Sequence, residues 1–290
     1  MTLRIRLLFI YFLLCLCAAF PVCGGEVISS YTQEKIDEFM TLHMQLTACA
    51  TNAEALAKID AFEAETDSML PSVAVDYEQE KLILESVYLM ERYHYKFDPN
   101  KNRAELRALF KSQMQKNEEL LDSLPKGENA NKWLYLFTGD VTSFYMTRSL
   151  PATLRYGMHV KKLYQKALEL DAGFTFANLN LGNWIFYAPK IVGGGLNKSQ
   201  VWFQTAFDNA RTAGEQYAAA LQLSQFWFEK QEPDKCREYL AVAERLIPGS
   251  KEVARTRKVN NFGISLFQYN RNQSGIDEKM DKAEMDENDI

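Results

Sequence analysis

Three consecutive glycines at residues 193–195, followed by Lys198 and Ser199, come nearest in this sequence to a phosphate-binding loop. In such a loop, backbone amides cradle the phosphate oxygens, while a lysine and a hydroxyl group complete the contacts. The motif needs a glycine directly before the lysine and a β-strand before the loop. This chain has Asn197 at the first position and a helical pattern ending at Pro189 at the second. The spacing therefore disfavours phosphate binding and predicts an enlarged turn between two helices.

The histidines and cysteines form no pattern typical of a metal site or a nucleophile. His43, His94 and His159 are dispersed, and none belongs to an HExxH pair. Cys49 and Cys236 lack CxxC spacing, and no GxSxG element occurs. An oxidising compartment would permit a disulfide between the two cysteines, but two separate buried thiols are the simpler interpretation. We predict no catalytic residue, no metal and no cofactor; an enzyme without a recognisable motif is the remaining alternative.

Residues 1–24 have the pattern of an export signal. Arg4 and Arg6 precede the apolar run LLFIYFLLCLCAAF, and small residues follow it. The run is shorter than the roughly 20 residues that cross a bilayer and is interrupted by Pro21, so cleavage is favoured over anchoring. Lipid attachment at Cys23 is disfavoured because a proline and a valine precede it. We expect an exported protein, periplasmic or secreted, without stable membrane insertion after cleavage.

The charge distribution argues against a nucleic-acid partner. Residues 274–290 hold seven acidic residues and two lysines, a net charge as large as the −5 of the whole chain. The rest of the chain is therefore close to neutral and lacks the basic footprint that phosphate backbones require. The acidic end also lacks apolar periodicity, which predicts disorder over residues 272–290.

Between the two ends, apolar residues recur at helical spacing, as at Ile36, Phe39 and Leu46. No sustained alternation of β-branched residues indicates a strand. Proline residues 71, 125 and 151 are predicted to end or interrupt helices. The predicted capping pairs at helix starts are Ser30 with Gln33, Thr51 with Glu54, Asn102 with Glu105, and Asn197 with Gln200. These patterns predict an all-α chain.

Three short segments repeat: YQKAL from Tyr164, FQTAF from Phe203 and LAVAE from Leu240, at spacings of 39 and 37 residues. Periods in this range indicate stacked helical hairpins that cannot bury their apolar faces alone. The sequence therefore predicts an α-solenoid of stacked antiparallel helix pairs.

The repeated segments resemble the tetratricopeptide repeat (TPR), which places small residues where its two helices cross. The best copy spans residues 217–250, and a second begins near Thr175 with five extra residues between its helices. Tyr164 and Ala167 resemble the second half of another copy, whose first half is blurred. The matching positions are Leu223, Ser224, Trp227, Cys236, Leu240, Ala243 and Pro248 in the best copy, and Leu181, Gly182, Ile185, Ser199, Phe203 and Ala206 in the second.

The repeats divide the chain into a signal peptide (1–24), divergent helical hairpins (27–150), TPR-like repeats (151–250), a C-terminal capping helix (251–271) and the acidic tail. The capping helix is expected to turn a basic face to solvent, because terminal repeats need a polar outer surface. A docking surface for an acidic partner is the alternative use of that face. Its basic residues are Lys251, Arg255, Arg257 and Lys258.

The TPR resemblance implies a concave binding groove lined by the first helix of each pair. The implied lining residues are Phe176, Leu179, Asn183, Phe186, Tyr187, Leu221, Gln225 and Phe228. Some TPR proteins clamp a peptide carboxylate with lysine and asparagine side chains; Asn183 matches one such position, but Leu179 stands where a lysine would be. The alternative is that these aromatic residues are buried against a neighbouring helix.

A scaffold that binds a protein or peptide partner is therefore the expected function. A carrier enclosing a small apolar ligand is the alternative, which a closed apolar pocket of several hundred Å³ would favour over an open groove. The order of signal, divergent helices and glycine-rich turn also resembles the TPR partner subunit of bacterial periplasmic transporters of the TRAP type. That resemblance is one of layout, so no site residue is transferred from it.

Overall fold

The computed structural model describes residues 27–46, 49–97, 102–146, 149–271 and 275–280, so the predicted signal peptide lies outside the described residues. The regular secondary structure within these ranges is all helical, with no β-strand, which confirms the predicted all-α class. The helices are α1 (Ser30–Leu46), α2 (Asn52–Val73), α3 (Tyr77–Lys96), α4 (Arg103–Ser123), α5 (Lys132–Met146), α6 (Leu150–Leu170), α7 (Thr175–Tyr187), α8 (Leu196–Asn209), α9 (Ala213–Glu229), α10 (Pro233–Leu246), α11 (Lys251–Asn261) and α12 (Leu266–Arg271). Residues 275–280 form a further short helical segment.

The helices pack in adjacent pairs, most extensively α5 with α6, α7 with α8, and α9 with α10. Each pair also packs on the next one: α6 contacts α7, α8 contacts α9, and the first helices α5, α7 and α9 contact one another in order. This arrangement is that of a helical-repeat array, in which each pair covers the apolar face of its neighbour.

Small residues lie where the paired helices cross. A Cβ atom added to Gly139 would stand 2.5 Å from Cε1 of Tyr164, and one added to Gly182 would stand 2.7 Å from Cε1 of Phe203. Such contacts exist only because glycine has no side chain to hold the backbones apart. The third crossing has Ser224, which is fully buried. The alanines that follow on the second helices, Ala167, Ala206 and Ala243, are also fully buried.

The N-terminal hairpin of α1 and α2 connects the two ends of the array. α2 packs on α3, while α1 contacts both α3 and the distant α9. Gln33 on α1 accepts a hydrogen bond from the indole nitrogen of Trp133 on α5 at 2.9 Å. Near the other end of the array, Lys251 Nζ on α11 donates to the carbonyl oxygen of Cys49 at 2.8 Å.

Two of the four predicted capping pairs are placed differently in the structure. Helix α1 is capped by Ser29 instead of Ser30, because the Ser29 hydroxyl accepts from the Thr32 amide at 3.1 Å. Helix α8 begins at Leu196, so Asn197 lies inside its first turn and caps nothing. The Asn197 side chain accepts instead from Lys230 Nζ at 2.9 Å.

Of the other two predicted capping pairs, the structure confirms the cap at Thr51 and lacks the one at Asn102. The Thr51 hydroxyl accepts from the Glu54 amide at 3.2 Å, as predicted. Asn102 makes no side-chain cap; its amide nitrogen Nδ2 donates to the Lys96 carbonyl oxygen of the preceding helix at 2.6 Å.

Proline marks helix boundaries less uniformly than expected. Pro71 lies inside the last turn of α2, which continues to Val73. Pro151 lies in the first turn of α6, where its missing amide is not needed. Pro125 and Pro189 follow helix ends as predicted, since α4 stops at Ser123 and α7 stops at Tyr187.

The C-terminal region also differs from the sequence-based division. Instead of one capping helix over 251–271, there are two helices, α11 and α12, separated by a turn in which Gly263 has φ +74°. Residues 275–280 are helical and not disordered, because Ile276 and Met280 are buried in the C-terminal core. The rest of the predicted acidic tail lies outside the described residues.

Candidate partner-binding site

The first-helix face of α7 and α9, where the groove was predicted, is partly covered by the chain's own helix α12. Phe267 of α12 packs with its ring centroid 4.3 Å from that of Phe186 and 6.0 Å from that of Phe203. The Tyr187 hydroxyl donates to the Phe267 carbonyl oxygen at 3.0 Å. Helix α12 therefore occupies part of the surface that the TPR resemblance assigns to a ligand.

Hydrogen bonds from α9 fix the start of α12. Gln225 Oε1 accepts from the Leu266 amide at 2.7 Å, and Gln225 Nε2 donates to the Ser224 hydroxyl at 3.1 Å. Glu229, one turn further along α9, accepts from the Ser265 hydroxyl and, at 3.0 Å, from Gln268 Nε2. Both of these bonds to Glu229 end on Oε1. Gln225 is fully buried, and its side chain makes its hydrogen bonds within the protein instead of lining an open groove.

A pocket of about 380 Å³ opens beside α12. Phe186 and Phe267 form its aromatic wall, Leu196 at the start of α8 adds a third apolar side chain, and Glu229 and Gln268 supply the polar side. A glycine-rich turn directly precedes Leu196 in the chain. Gly193 has φ +95° and Gly195 φ +140°, so this turn needs residues without side chains.

Among the predicted groove residues, only Phe186 lines this pocket. Leu179 and Leu221 are buried in the interior, in agreement with the alternative interpretation for these two positions. Phe176 is half-buried with its ring 6.2 Å from that of Trp133, and Phe228 is half-buried against the C-terminal core. Tyr187 is the most accessible of the set, with 37% of its surface exposed.

A row of polar residues runs along the first helices. Asp140, Asn183 and Gln225 each directly follow the small residue at a helix crossing, so they hold equivalent positions on α5, α7 and α9. The Asn183 Oδ1 atom is buried and has no hydrogen-bond partner within the described chain. The Gln222 Oε1 atom on α9 is in the same state.

Asp140 is the titratable member of this row, and no motif in the sequence singled it out. Its Oδ1 atom accepts from the Tyr164 hydroxyl at 2.8 Å and from Asn180 Nδ2 at 2.6 Å. Burial raises the pKa of the Asp140 carboxyl to about 7, and the two hydrogen bonds only partly offset that rise.

The histidines and cysteines lie apart from the pocket. The His43 ring nitrogen Nδ1 lies 2.8 Å from a carboxylate oxygen of Glu91. His159 bonds to Glu118, and this bond raises the pKa of His159. Cys49 and Cys236 are free and buried, which confirms the prediction of two separate thiols.

The described residues contain no group of three or more His, Cys, Asp and Glu side chains placed to hold a metal ion. In the same ranges, every helix is too short or too polar to cross a membrane. No protein-family model matches the chain, and no curated protein sequence matches it.

Proposed function

We propose that this protein is an exported TPR-type scaffold that binds a protein or peptide partner at the pocket beside α12. Support for the TPR assignment comes from the three consecutive helix pairs and from the close Gly139–Tyr164 and Gly182–Phe203 crossings. The TPR pattern has small residues at these helix crossings. Export is inferred from the pattern of residues 1–24.

The observation that carries the binding proposal is the shape and chemistry of the pocket. It is open to solvent and has aromatic side chains on one side and a carboxylate on the other. A carrier for a small apolar ligand needs an enclosed apolar cavity, whereas an open pocket with a polar edge suits a side chain presented by another protein.

The pocket also indicates what such a partner presents. Phe186, Leu196 and Phe267 would contact an apolar or aromatic side chain. Glu229 uses Oε1 for both of its internal hydrogen bonds, which leaves Oε2 to accept from the partner. A peptide with an apolar residue next to a lysine, an arginine or an exposed amide fits this arrangement.

A photo-crosslinking residue introduced at exposed Gln268, in the full-length protein produced by its own host, tests the proposal. We expect a discrete protein adduct, reduced severalfold by Glu229→Gln, which keeps an acceptor for the Ser265 hydroxyl but removes the charge. The same crosslinker at Glu119, exposed on α4, is the control and should give no such adduct. Absence of a protein adduct, with a small molecule retained in native mass spectrometry, would establish the carrier instead.

A further inference from the structure

A second open cleft, of about 600 Å³, lies where α4 meets the end of α5 and the start of α6. One wall is a basic stripe of Arg103, Arg107 and Lys111, spaced four residues apart on α4. A parallel stripe of small side chains, Ala104 and Ala108, leaves the floor of the cleft open. No part of the pocket beside α12 contributes to this cleft.

Arg107 is held in a fixed orientation at the centre of the cleft. Its Nε donates to the Tyr145 carbonyl oxygen at 3.2 Å and its Nη2 to the Ser149 hydroxyl at 3.2 Å. The guanidinium also lies over the Tyr145 ring, 4.5 Å from the centroid. A guanidinium has five N–H donors, so three remain for a ligand, and the neutral partners leave its charge uncompensated.

Neighbouring acids do not neutralise the charges of Arg107 and Lys111. Within the described part of the chain, no carboxylate lies within 4 Å of a nitrogen of Arg107 or Lys111. The next basic side chain along α4, Lys116, is by contrast paired with Glu85 at 3.1 Å. Beyond the Tyr145 ring, Arg155 on α6 lies over Tyr156 at 5.1 Å and adds another exposed positive charge.

We propose that this cleft binds an acidic segment of a partner protein. Arg107 and Lys111 lie about one helical turn apart on α4, and Arg155 adds a further exposed cation, so several carboxylates along a peptide match these side chains better than one small anion does. Arg107 supplies the oriented, multi-donor contact, and Lys111 supplies a mobile point charge. The alanine floor gives room for the peptide backbone. The proposal is independent of the pocket beside α12.

Fluorescence anisotropy with a fluorescein-labelled hexaglutamate peptide and the full chain, at low salt, tests the cleft. The charge-reversing variant Lys111→Glu alters an exposed side chain with no internal bond, and we expect it to weaken binding by about fivefold or more. The double variant Arg107→Gln/Lys111→Gln should abolish binding. The control, Lys190→Gln/Lys198→Gln, removes two exposed charges at the glycine-rich turn and should leave the affinity unchanged.

The proposal is overturned by an equal loss of binding in the control variant, because the attraction would then come from net charge alone. It is also overturned by unchanged affinity in Lys111→Glu, or by no binding to the peptide at all. Vesicles of phosphatidylcholine and phosphatidylglycerol in equal parts provide the remaining arm: binding to them that Lys111→Glu removes, without peptide binding, would assign the cleft to a lipid surface.

Discussion

The ring of Tyr164 packs directly against Gly139, and its hydroxyl group bonds to Asp140, the next residue of α5. One side chain from α6 therefore both closes the helix crossing and satisfies the buried carboxylate beside it. Packing at the crossing and hydrogen bonding to the carboxylate depend on the same side chain, so substitutions of Gly139 or Asp140 are expected to act through Tyr164.

We expect Gly139→Ala to lower the free energy of unfolding. The added methyl group would meet the buried Tyr164 ring, and overpacking costs about 1–3 kcal/mol, partly offset by the better helix propensity of alanine, about 1 kcal/mol. Gly157→Ala on α6 is the matched control, because nothing lies within 4 Å of its added Cβ, and it should stabilise the protein. Urea denaturation of both variants checks this; equal effects in the two would refute the close crossing.

Glu80→Gln should destabilise the N-terminal helices by on the order of 2 kcal/mol at neutral pH. The buried Glu80 Oε1 accepts from the amides of Ser29, Val75 and Asp76, and Oε2 accepts from the hydroxyls of Ser29 and Thr32. A glutamine cannot accept at both positions and leaves buried donors unpaired. Thermal denaturation measures the loss, and Glu78→Gln, exposed in the same helical turn, is the control.

The same residue gives a pH dependence. Burial raises the pKa of Glu80, but the bonds donated by Ser29 and Thr32 outweigh it and hold the pKa below its ordinary value. A depressed carboxyl pKa contributes stability above the unfolded value, about 4.3, which is lost as the pH falls through the folded value. The difference between wild type and Glu80→Gln should therefore shrink below about pH 4; a constant difference would contradict this.

Asp140 should show the opposite pH dependence. Because its pKa is raised to about 7, the folded protein retains a proton that the unfolded chain has lost above about pH 4. Stability should thus fall as the pH rises between those values. Asp140→Asn, which keeps an acceptor for Tyr164 and Asn180, should be more stable than wild type at pH 8 by on the order of 1–2 kcal/mol, and equal to it near pH 4. Exposed Glu119→Gln should show no such trend in urea titrations.

The mature protein should react with thiol reagents only after unfolding. Cys49 and Cys236 are buried and unpaired, and burial raises the pKa of Cys236 to about 11, which keeps the thiolate scarce. Two thiols per chain are expected with Ellman's reagent in denaturant, and almost none without it. Zero thiols in denaturant would mean a disulfide.

Export is checked by the mass of the protein recovered from its host. We expect a chain that lacks the signal, with its new N-terminus near Gly24. Retention of Arg4 and Arg6 in the isolated protein would contradict cleavage. A lipid-sized mass increase on a chain beginning at Cys23 would establish the lipoprotein alternative.

Helical periodicity was sufficient to predict the helix class and the repeats, because the stripe of buried residues is local in sequence. The first half of the copy formed by α5 and α6 was not recognised, although Gly139 on α5 occupies the position that Gly182 occupies on α7. Its partner Tyr164 lies 25 residues later, whereas Ser224 and Leu240 of the best copy are 16 apart. The longer α5–α6 pair preserves the contact between Gly139 and Tyr164, but these two residues no longer have the separation in sequence that the repeat pattern predicts.

The covering of the groove by α12 was not predictable from a local pattern. Gln225 and Leu266 are 41 residues apart, and nothing near either residue indicates that one will bond to the other. Adjacent hydroxyl residues caused a smaller error, since Ser29 and Ser30 are equally good caps by type. Only the burial of Ser29 against Glu80 decides between them.

The bond from Lys251 to the Cys49 carbonyl and the contact of α1 with α9 have a consequence for how the protein comes apart. An open row of repeats can fray from its tips, one hairpin after another. Here the N-terminal hairpin contacts α9 and is bonded to α11 near the other end of the array, so unfolding of either end also breaks contacts with the other. We therefore expect the whole array to unfold in a single cooperative step.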